Sequence, residues 1–182
     1  MSHNSLVSVL MPAYNAEKYL MAAIDSIKNQ THQNWELLIL NDGSTDSTGT
    51  ILKTLNDSRI KVFNEAKNQG YLASCNQLFN LAKGDFITFQ DADDTCEPNR
   101  IEICLKEFEE TEDLDFVTSN FTRSSSDLKC QSEHISNIDY TKYSCDPHYQ
   151  PIVCCATIFV KEKLLALVGG YHTFFEDVGG ED

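Results

Sequence analysis

The chain of 182 residues, 41% of them hydrophobic, is long enough for one domain with a full core. Its 14 Lys and Arg residues against 28 Asp and Glu residues give a formal net charge of −14, which disfavours general binding to nucleic acid or to anionic lipid. No apolar run approaches the roughly 20 residues of a transmembrane helix, and the N-terminus lacks the basic start and apolar region of a signal peptide.

Strand and helix patterns alternate along the first 120 residues. Short apolar runs predict strands at residues 6–11, 36–40, 60–63, 86–90 and 114–120. Apolar residues at helical spacing predict helices between these strands, at residues 16–30, 51–55, 71–82 and 98–108. Asn15 is the expected N-cap of the first helix. Because strands that alternate with helices form βαβ units, we expect a largely parallel sheet with helices on both faces.

The pattern is weaker after residue 120. Ser, Asp, Asn, His and Tyr dominate between Phe121 and Pro151, where we expect mostly loop, with a strand near Phe121 and a flexible flap. Further on, the sequence predicts a strand at residues 156–160, a short helix at 161–168 and a turn at Gly169-Gly170-Tyr171.

Polar residues follow three of the predicted strands at their carboxyl ends: Tyr14, Asp42 and Asp91–Asp94. Ligands of parallel sheets bind at this edge, so we expect one cleft shared by three loops that are distant in sequence. Tyr14 has two interpretations, a packing aromatic or a surface on which a base stacks. Turn and cap chemistry explains part of the loop that contains Asp42. In the functional interpretation, Asp42 accepts a hydrogen bond from a ligand.

The stretch Asp91-Ala92-Asp93-Asp94 places three carboxylates directly after a buried strand. Such carboxylates repel each other and are costly to desolvate. A divalent cation removes that problem, because Mg²⁺ and Mn²⁺ prefer oxygen ligands and are often shared with substrate phosphates. The alternative is a solvated acidic turn in which Asp94 or Thr95 caps the next helix.

In this order, the segments 7–15, 36–46 and 82–94 resemble the family 2 inverting glycosyltransferases of the GT-A fold. Gly169-Gly170-Tyr171 and Glu181-Asp182 look like later landmarks of that family. The resemblance implies a Rossmann-like nucleotide-diphospho-sugar transferase fold of the α/β class, with a mostly parallel central sheet flanked by helices. It implies a single domain over residues 1–182, with a nucleotide-binding half at about 5–120 and an acceptor-side part at about 121–182.

The resemblance also implies a nucleotide-sugar donor, most often a UDP-sugar, and a saccharide or lipid-linked acceptor. Pro12, Ala13 and Tyr14 would line the base and ribose pocket, and Asp42 would accept a hydrogen bond from the base.

Metal and catalytic roles follow from the same resemblance. Asp91 and Asp93 would form the DXD pair, with Asp93 the direct ligand of Mn²⁺ or Mg²⁺ and Asp91 nearer the sugar or ribose. Asp94 would assist through water. A base must remove the acceptor's hydroxyl proton during inversion, and the family places it at Asp182, with Glu181 as second choice.

The sequence departs from the family pattern at two positions, Asn41 in place of a common Asp and Cys75 in place of a common Arg. Relatives also continue well beyond the Glu-Asp landmark, so we expect an N-terminal part in which donor binding survives and transfer is weak or absent. Peripheral membrane association through further C-terminal parts stays open.

The remaining expectations concern compartment and competing functions. The seven cysteines show no zinc-like spacing, which is typical of reduced packing residues in a cytoplasmic protein rather than of structural disulfides. One alternative function is a nucleotidyltransferase, which needs basic groups for a triphosphate that the predicted cleft loops rarely offer. The other is a nucleotide-sugar-binding module without transfer activity.

Overall fold

The computed structural model describes residues 4–124, 131–134 and 155–171. Its strands are β1 (Val7–Ala13), β2 (Trp35–Asp42), β3 (Ile60–Glu65), β4 (Phe86–Phe89), β5 (Phe116–Thr118), β6 (Phe121–Ser124), β7 (Gln131–His134) and β8 (Ile158–Lys161). Its α-helices are α1 (Leu20–Lys28), α2 (Thr48–Leu52), α3 (Tyr71–Leu81), α4 (Arg100–Glu110) and α5 (Glu162–Val168), and a 3-10 turn spans Cys155–Thr157.

Six strands form the central sheet in the order β3-β2-β1-β4-β8-β5. The four strands β3, β2, β1 and β4 are parallel, which confirms the predicted largely parallel α/β sheet. Strand β8 runs antiparallel to both of its neighbours, β4 and β5, so a strand from the predicted acceptor-side part completes the sheet. Strands β6 and β7 form a separate antiparallel pair.

Strands β1 and β2 are buried along their full length because helices cover both faces of the sheet. Alternate residues of β1 divide between the two resulting cores. Val7, Val9 and Met11 pack with residues of α1 and α4, whereas Leu10 packs with residues of α3 on the other face. This two-residue period directs alternate side chains to opposite faces, and parallel pairing brings the carboxyl ends of β1, β2, β3 and β4 to one rim.

Some predicted boundaries were wrong. Helix α1 begins at Leu20 rather than at Ala16, and Asn15 is not its N-cap, since Tyr19 occupies that position. Asn15 instead has a positive φ of 50°, and its Oδ1 accepts a hydrogen bond from the Thr45 N–H at 2.8 Å. Asn is one of the few residues that tolerates this backbone region, and its side chain serves the neighbouring loop.

The later elements agree in part with the sequence. The strand near Phe121 is confirmed as β6, whereas β7 was not predicted and lies in a stretch where mostly loop was expected. Helix α5 is confirmed over Glu162–Val168. Within the described ranges, no helix combines the length and the apolar character that crossing a membrane requires.

Candidate functional site

A cleft of about 440 Å³ lies at the carboxyl ends of β1 and β4. It is lined by Pro12, Tyr14, Asn15, Ala16, Tyr19, Tyr71, Asp91, Ala92 and Asp93. The loops after β1 and β4, separated by more than seventy residues, therefore meet in one concave site at the edge where ligands of parallel sheets bind. Ala13 is buried at the last position of β1, next to this cleft.

Tyr14 presents its ring to solvent at the mouth of the cleft and is 50% exposed. Its position is fixed by hydrogen bonds between the loop after β1 and the loop after β2. The Asn15 N–H donates to Ser44 Oγ at 3.0 Å, and the Ala16 N–H donates to Thr48 Oγ1 at 2.8 Å. An exposed ring on a rigidly held loop is suited to stacking against a planar ligand.

Asp42 lies at the end of β2 and is only 3% exposed. Its two carboxylate oxygens accept hydrogen bonds from successive backbone amides, Gln69 N–H at 2.8 Å and Gly70 N–H at 3.0 Å. The carboxylate therefore anchors the loop that precedes α3, a contact that the sequence did not predict. Each oxygen keeps a second lone pair, and the predicted contact of Asp42 with a base stays a prediction.

The start of α3 supplies a cleft residue that sequence reasoning missed. Tyr71, the first residue of α3, lines the cleft, and its hydroxyl donates to Asp91 Oδ1 at 2.9 Å. Burial is the main cause that raises the pKa of the Tyr71 hydroxyl, which keeps it a hydrogen-bond donor at neutral pH. The available signal was the turn at residues 68–70, which follows β3 at the same rim as the other loops.

The acidic motif is electrostatically strained. Burial, followed by the charges of Asp94 and Asp93, raises the pKa of Asp91 to about 6, although the hydrogen bond from Tyr71 acts in the opposite direction. Partial removal from water and the charge of Asp93 also raise the pKa of Asp94, whose side chain is exposed. Asp93 is exposed as well and borders the cleft. Clustered carboxylates with raised pKa values mark a functional site.

Arg100 supplies a fixed positive charge beneath this motif. Its Nη2 donates to Thr88 Oγ1 at 2.8 Å and to the Ala156 carbonyl at 2.6 Å, and its Nη1 donates to Gln90 Oε1 at 3.1 Å. The charge of Arg100 lowers the pKa of Asp91, though not enough to offset burial and the neighbouring carboxylates. The same side chain links β4 to the segment before β8.

The motif fits a divalent metal by its chemistry. Within the described residues, no three His, Cys, Asp or Glu side chains converge into a metal-binding group. Mg²⁺ and Mn²⁺ often use one or two carboxylates and complete their shell with water and phosphate oxygens, so a full protein cage is not needed. Asp91 and Asp93 offer oxygen ligands in a site with excess negative charge, which a cation would neutralise.

The Gly169-Gly170-Tyr171 landmark is held against α3. The Asn76 side-chain amide pairs with the Tyr171 backbone, with Nδ2 donating to the carbonyl and Oδ1 accepting from the N–H, both at 2.8 Å. Gly170 has a φ of 80°, and a Cβ there would lie 2.5 Å from Asn76 Oδ1, so this close pairing requires glycine. The Tyr171 ring packs edge-on against Phe89 at 5.5 Å.

The predicted catalytic residues Glu181 and Asp182 lie outside the described residues.

The fold and the position of this cleft define an α/β protein of the GT-A glycosyltransferase fold. Residues 1–349 of TarS from S. aureus, solved with UDP, superpose with a TM-score of 0.72 at 19% identity, covering 96% of this chain and 52% of that one. The mannosyltransferase PcManGT from Pyrobaculum calidifontis, solved with GDP-Man and Mn²⁺, superposes with a TM-score of 0.70 at 20% identity, covering 97% and 49%.

The chain belongs to glycosyl transferase family 2, whose family model matches residues 8–166. It is 41% identical over 98 residues to the Escherichia coli UDP-Glc:alpha-D-GlcNAc-diphosphoundecaprenol beta-1,3-glucosyltransferase WfgD, over 54% of this chain and 39% of that protein. The matched stretch covers 40% or less of the first curated relatives, so the chain spans well under half of their length.

Proposed function

We propose that this chain is the donor-binding part of a metal-dependent, inverting glycosyltransferase that uses a UDP-sugar. The observation that carries the proposal is the cleft that Pro12 and Tyr14 line together with Asp91 and Asp93. An exposed aromatic ring and carboxylates that border one cleft suit a ligand with a planar base at one end and a diphosphate at the other. Family membership supports the same activity.

Each side chain has a separate task in this proposal. Tyr14 stacks on the base, Pro12 and Ala13 shape the pocket for base and ribose, and Asp42 contacts the base. Asp93, which is exposed, would hold the metal directly, with Asp91 nearer the sugar or ribose and Asp94 acting through water. When bound there, Mn²⁺ or Mg²⁺ would supply positive charge to stabilise a departing diphosphate, an effect worth about several kcal/mol in the transition state.

The acceptor side of the reaction needs a general base. We assign that role to Asp182, with Glu181 as second choice, because a carboxylate within hydrogen-bonding reach of an acceptor hydroxyl can remove its proton as the new bond forms. The acceptor we propose is a saccharide or a lipid-linked saccharide, the type of substrate in the name of WfgD. We propose the cytoplasm as the compartment on the sequence alone, because the seven cysteines show no zinc-like spacing and are typical of reduced packing residues.

A panel of nucleotide-sugars tests the donor assignment. We expect one UDP-sugar to raise the melting temperature of the chain in the presence of Mn²⁺ and to have a much smaller effect after EDTA treatment, since ligand binding stabilises the folded state by mass action. GDP-sugars and nucleoside triphosphates are the matched controls. Stabilisation by a triphosphate alone would contradict the proposal and favour a nucleotidyltransferase.

Product analysis then separates transfer from binding alone. A glycosyltransferase releases a nucleoside diphosphate from its donor, whereas a nucleotidyltransferase releases pyrophosphate. Donor binding without diphosphate release, in a form of the protein that extends beyond residue 182, would identify a binding module instead.

A further inference from the structure

The loop between β3 and α3 connects two site loops that lie far apart in sequence. Asp42, at the end of β2, holds the amides of Gln69 and Gly70, and the residue after Gly70 is Tyr71. Gly70 has a φ of 97°, a conformation that glycine adopts without strain, and it lets the chain turn directly into α3. The buried Asp42 carboxylate therefore determines where the Tyr71 ring enters the cleft.

The Tyr71 hydroxyl contacts Asp91 alone among the described acidic side chains that border the cleft. It donates to Oδ1 at 2.9 Å, across twenty positions of sequence. No further hydrogen bond to the Asp91 side chain occurs within the described part of the chain, so Oδ2 is left for a ligand. A carboxylate with one oxygen fixed in advance loses less rotational freedom when its other oxygen binds.

We propose that Tyr71 is a positioning residue of this site, which orients the Asp91 carboxylate toward a metal-bound nucleoside diphosphate through the hydrogen bond from its hydroxyl. This inference rests on the proposed function, because it concerns how the same cleft holds its donor. It adds Tyr71, the first residue of α3, to the site beside the loops after β1 and β4. Asp42 acts on the site indirectly through the same loop.

A merely structural role for Tyr71 predicts something different. A hydrogen bond that only stabilises the fold would, when removed, lower the unfolding temperature and affect every ligand of the cleft alike. A positioning role acts through Asp91, which together with Asp93 offers oxygen ligands to the cation, and therefore on the metal-dependent part of binding. The two roles are separated by measuring UDP affinity with Mn²⁺ and again with EDTA.

The test uses Tyr71→Phe, which keeps the ring and removes the hydroxyl. We expect the dissociation constant of UDP with Mn²⁺, measured by calorimetry, to rise about tenfold, the effect of one hydrogen bond to a charged group. The dissociation constant with EDTA should stay unchanged. The matched control is Gln77→Ala, which removes a hydrogen bond of similar length from the same helix, Gln77 Nε2 to Glu65 Oε1 at 2.7 Å, and should leave both constants unchanged.

A second readout needs no nucleotide. The carboxyl carbon resonance of Asp91, observed by NMR, should move in Tyr71→Phe and stay in place in Gln77→Ala, because only the first substitution removes a donor from that carboxylate. An unmoved resonance, an unchanged UDP affinity with Mn²⁺, or an equal loss with Mn²⁺ and with EDTA would each overturn the inference. Failure of the wild-type chain to bind any nucleotide would overturn the proposed function instead, and the resonance would still decide whether Tyr71 holds Asp91.

Discussion

Two carboxylates on the central sheet show opposite electrostatics. Glu36, at the start of β2, is 6% exposed and accepts hydrogen bonds from Lys61 Nζ at 2.6 Å, Ser8 Oγ at 2.7 Å and the Lys83 N–H at 2.8 Å. Burial raises the pKa of Glu36, but these donors outweigh burial and hold the pKa below its ordinary value. Asp91 follows β4, at the carboxyl ends of the parallel strands, and burial raises its pKa to about 6.

The difference lies in what surrounds each charge. Glu36 faces one cation, Lys61, and two further hydrogen-bond donors, so its charge is balanced within the fold and contributes to stability. Asp91 has two carboxylate neighbours, and neither the Tyr71 hydroxyl nor the charge of Arg100 offsets them and burial, so a bound cation would complete the balance of charge. At the amino ends of the parallel strands, charge is balanced and stabilises the fold. At their carboxyl ends, charge is left unbalanced and is available to bind a ligand.

Gly84→Ala should be the most destabilising substitution near the amino ends of the parallel strands. A Cβ at Gly84 would lie 2.5 Å from Ser8 N, 2.8 Å from Leu6 O and 2.8 Å from Phe86 O, all backbone atoms that cannot move aside cheaply. We expect a loss of about 3 kcal/mol in the free energy of unfolding, measured by urea denaturation. Gly70→Ala is an informative companion, because its Cβ meets open space and only its φ of 97° is strained. A neutral Gly84→Ala would show that this edge is loosely packed.

Glu36→Gln tests the balanced charge itself. We expect it to cost about 2 kcal/mol at pH 7, since it removes the partner of Lys61 and weakens the bonds from Ser8 and Lys83. The folded-state pKa of Glu36 is lowered, so its contribution is full above its ordinary pKa of 4.5 and is lost as pH falls through the folded value. The gap between wild type and variant should therefore close in acid. A gap that widens below pH 4.5 would reverse our assignment of the shift.

Asp91→Asn should have the opposite effect on stability. At pH 7 it removes an unfavourable buried charge and keeps an acceptor for Tyr71, so we expect a gain of about 1–2 kcal/mol. The folded-state pKa of Asp91 lies at about 6, above its ordinary 3.8, so the wild type itself gains stability as pH falls between these values and the gap closes. Denaturation at pH 7, 5 and 4 checks this trend. Destabilisation by Asp91→Asn at pH 7 would contradict it.

Tyr14→Ala should affect ligand binding and leave stability almost unchanged. The side chain is 50% exposed, so we expect less than about 0.5 kcal/mol change in the free energy of unfolding. Loss of base stacking should weaken UDP binding about tenfold, measured by calorimetry, and Tyr14→Phe should retain it. A marked loss of stability with unchanged affinity would instead support the packing interpretation of Tyr14.

The sequence predicted the sheet and its rim because both follow from short-range patterns. Apolar runs such as Leu37–Leu40 identify buried strands, and their alternation with helices implies parallel pairing. Once the strands are parallel, the polar residues that follow β1 and β4 must lie at the same edge. The placement of Tyr14, Asp91 and Asp93 around one cleft therefore required no knowledge of side-chain contacts.

The contacts that organise the rim could not be predicted in this way. Tyr71 meets Asp91 across twenty positions, Arg100 meets Ala156 across 56, and Asn76 meets Tyr171 across 95. Each depends on the side-chain geometry of residues that only the complete fold brings together. Tyr71 has no neighbour in the sequence that indicates an acidic partner, so the turn at residues 68–70 indicates its place at the rim but not its contact with Asp91.

The most direct test of the account concerns the metal. UDP should be titrated calorimetrically, with Mn²⁺ present, into the wild type, Asp93→Ala and Asp25→Ala. Asp25 is the matched control, because its half-exposed side chain lies on α1 and, among the described residues, pairs with Lys28 alone. We predict that Asp93→Ala abolishes Mn²⁺-dependent UDP binding while Asp25→Ala retains it. Wild-type affinity for UDP in Asp93→Ala would contradict the claim that these rim carboxylates hold a cation and, through it, a diphosphate.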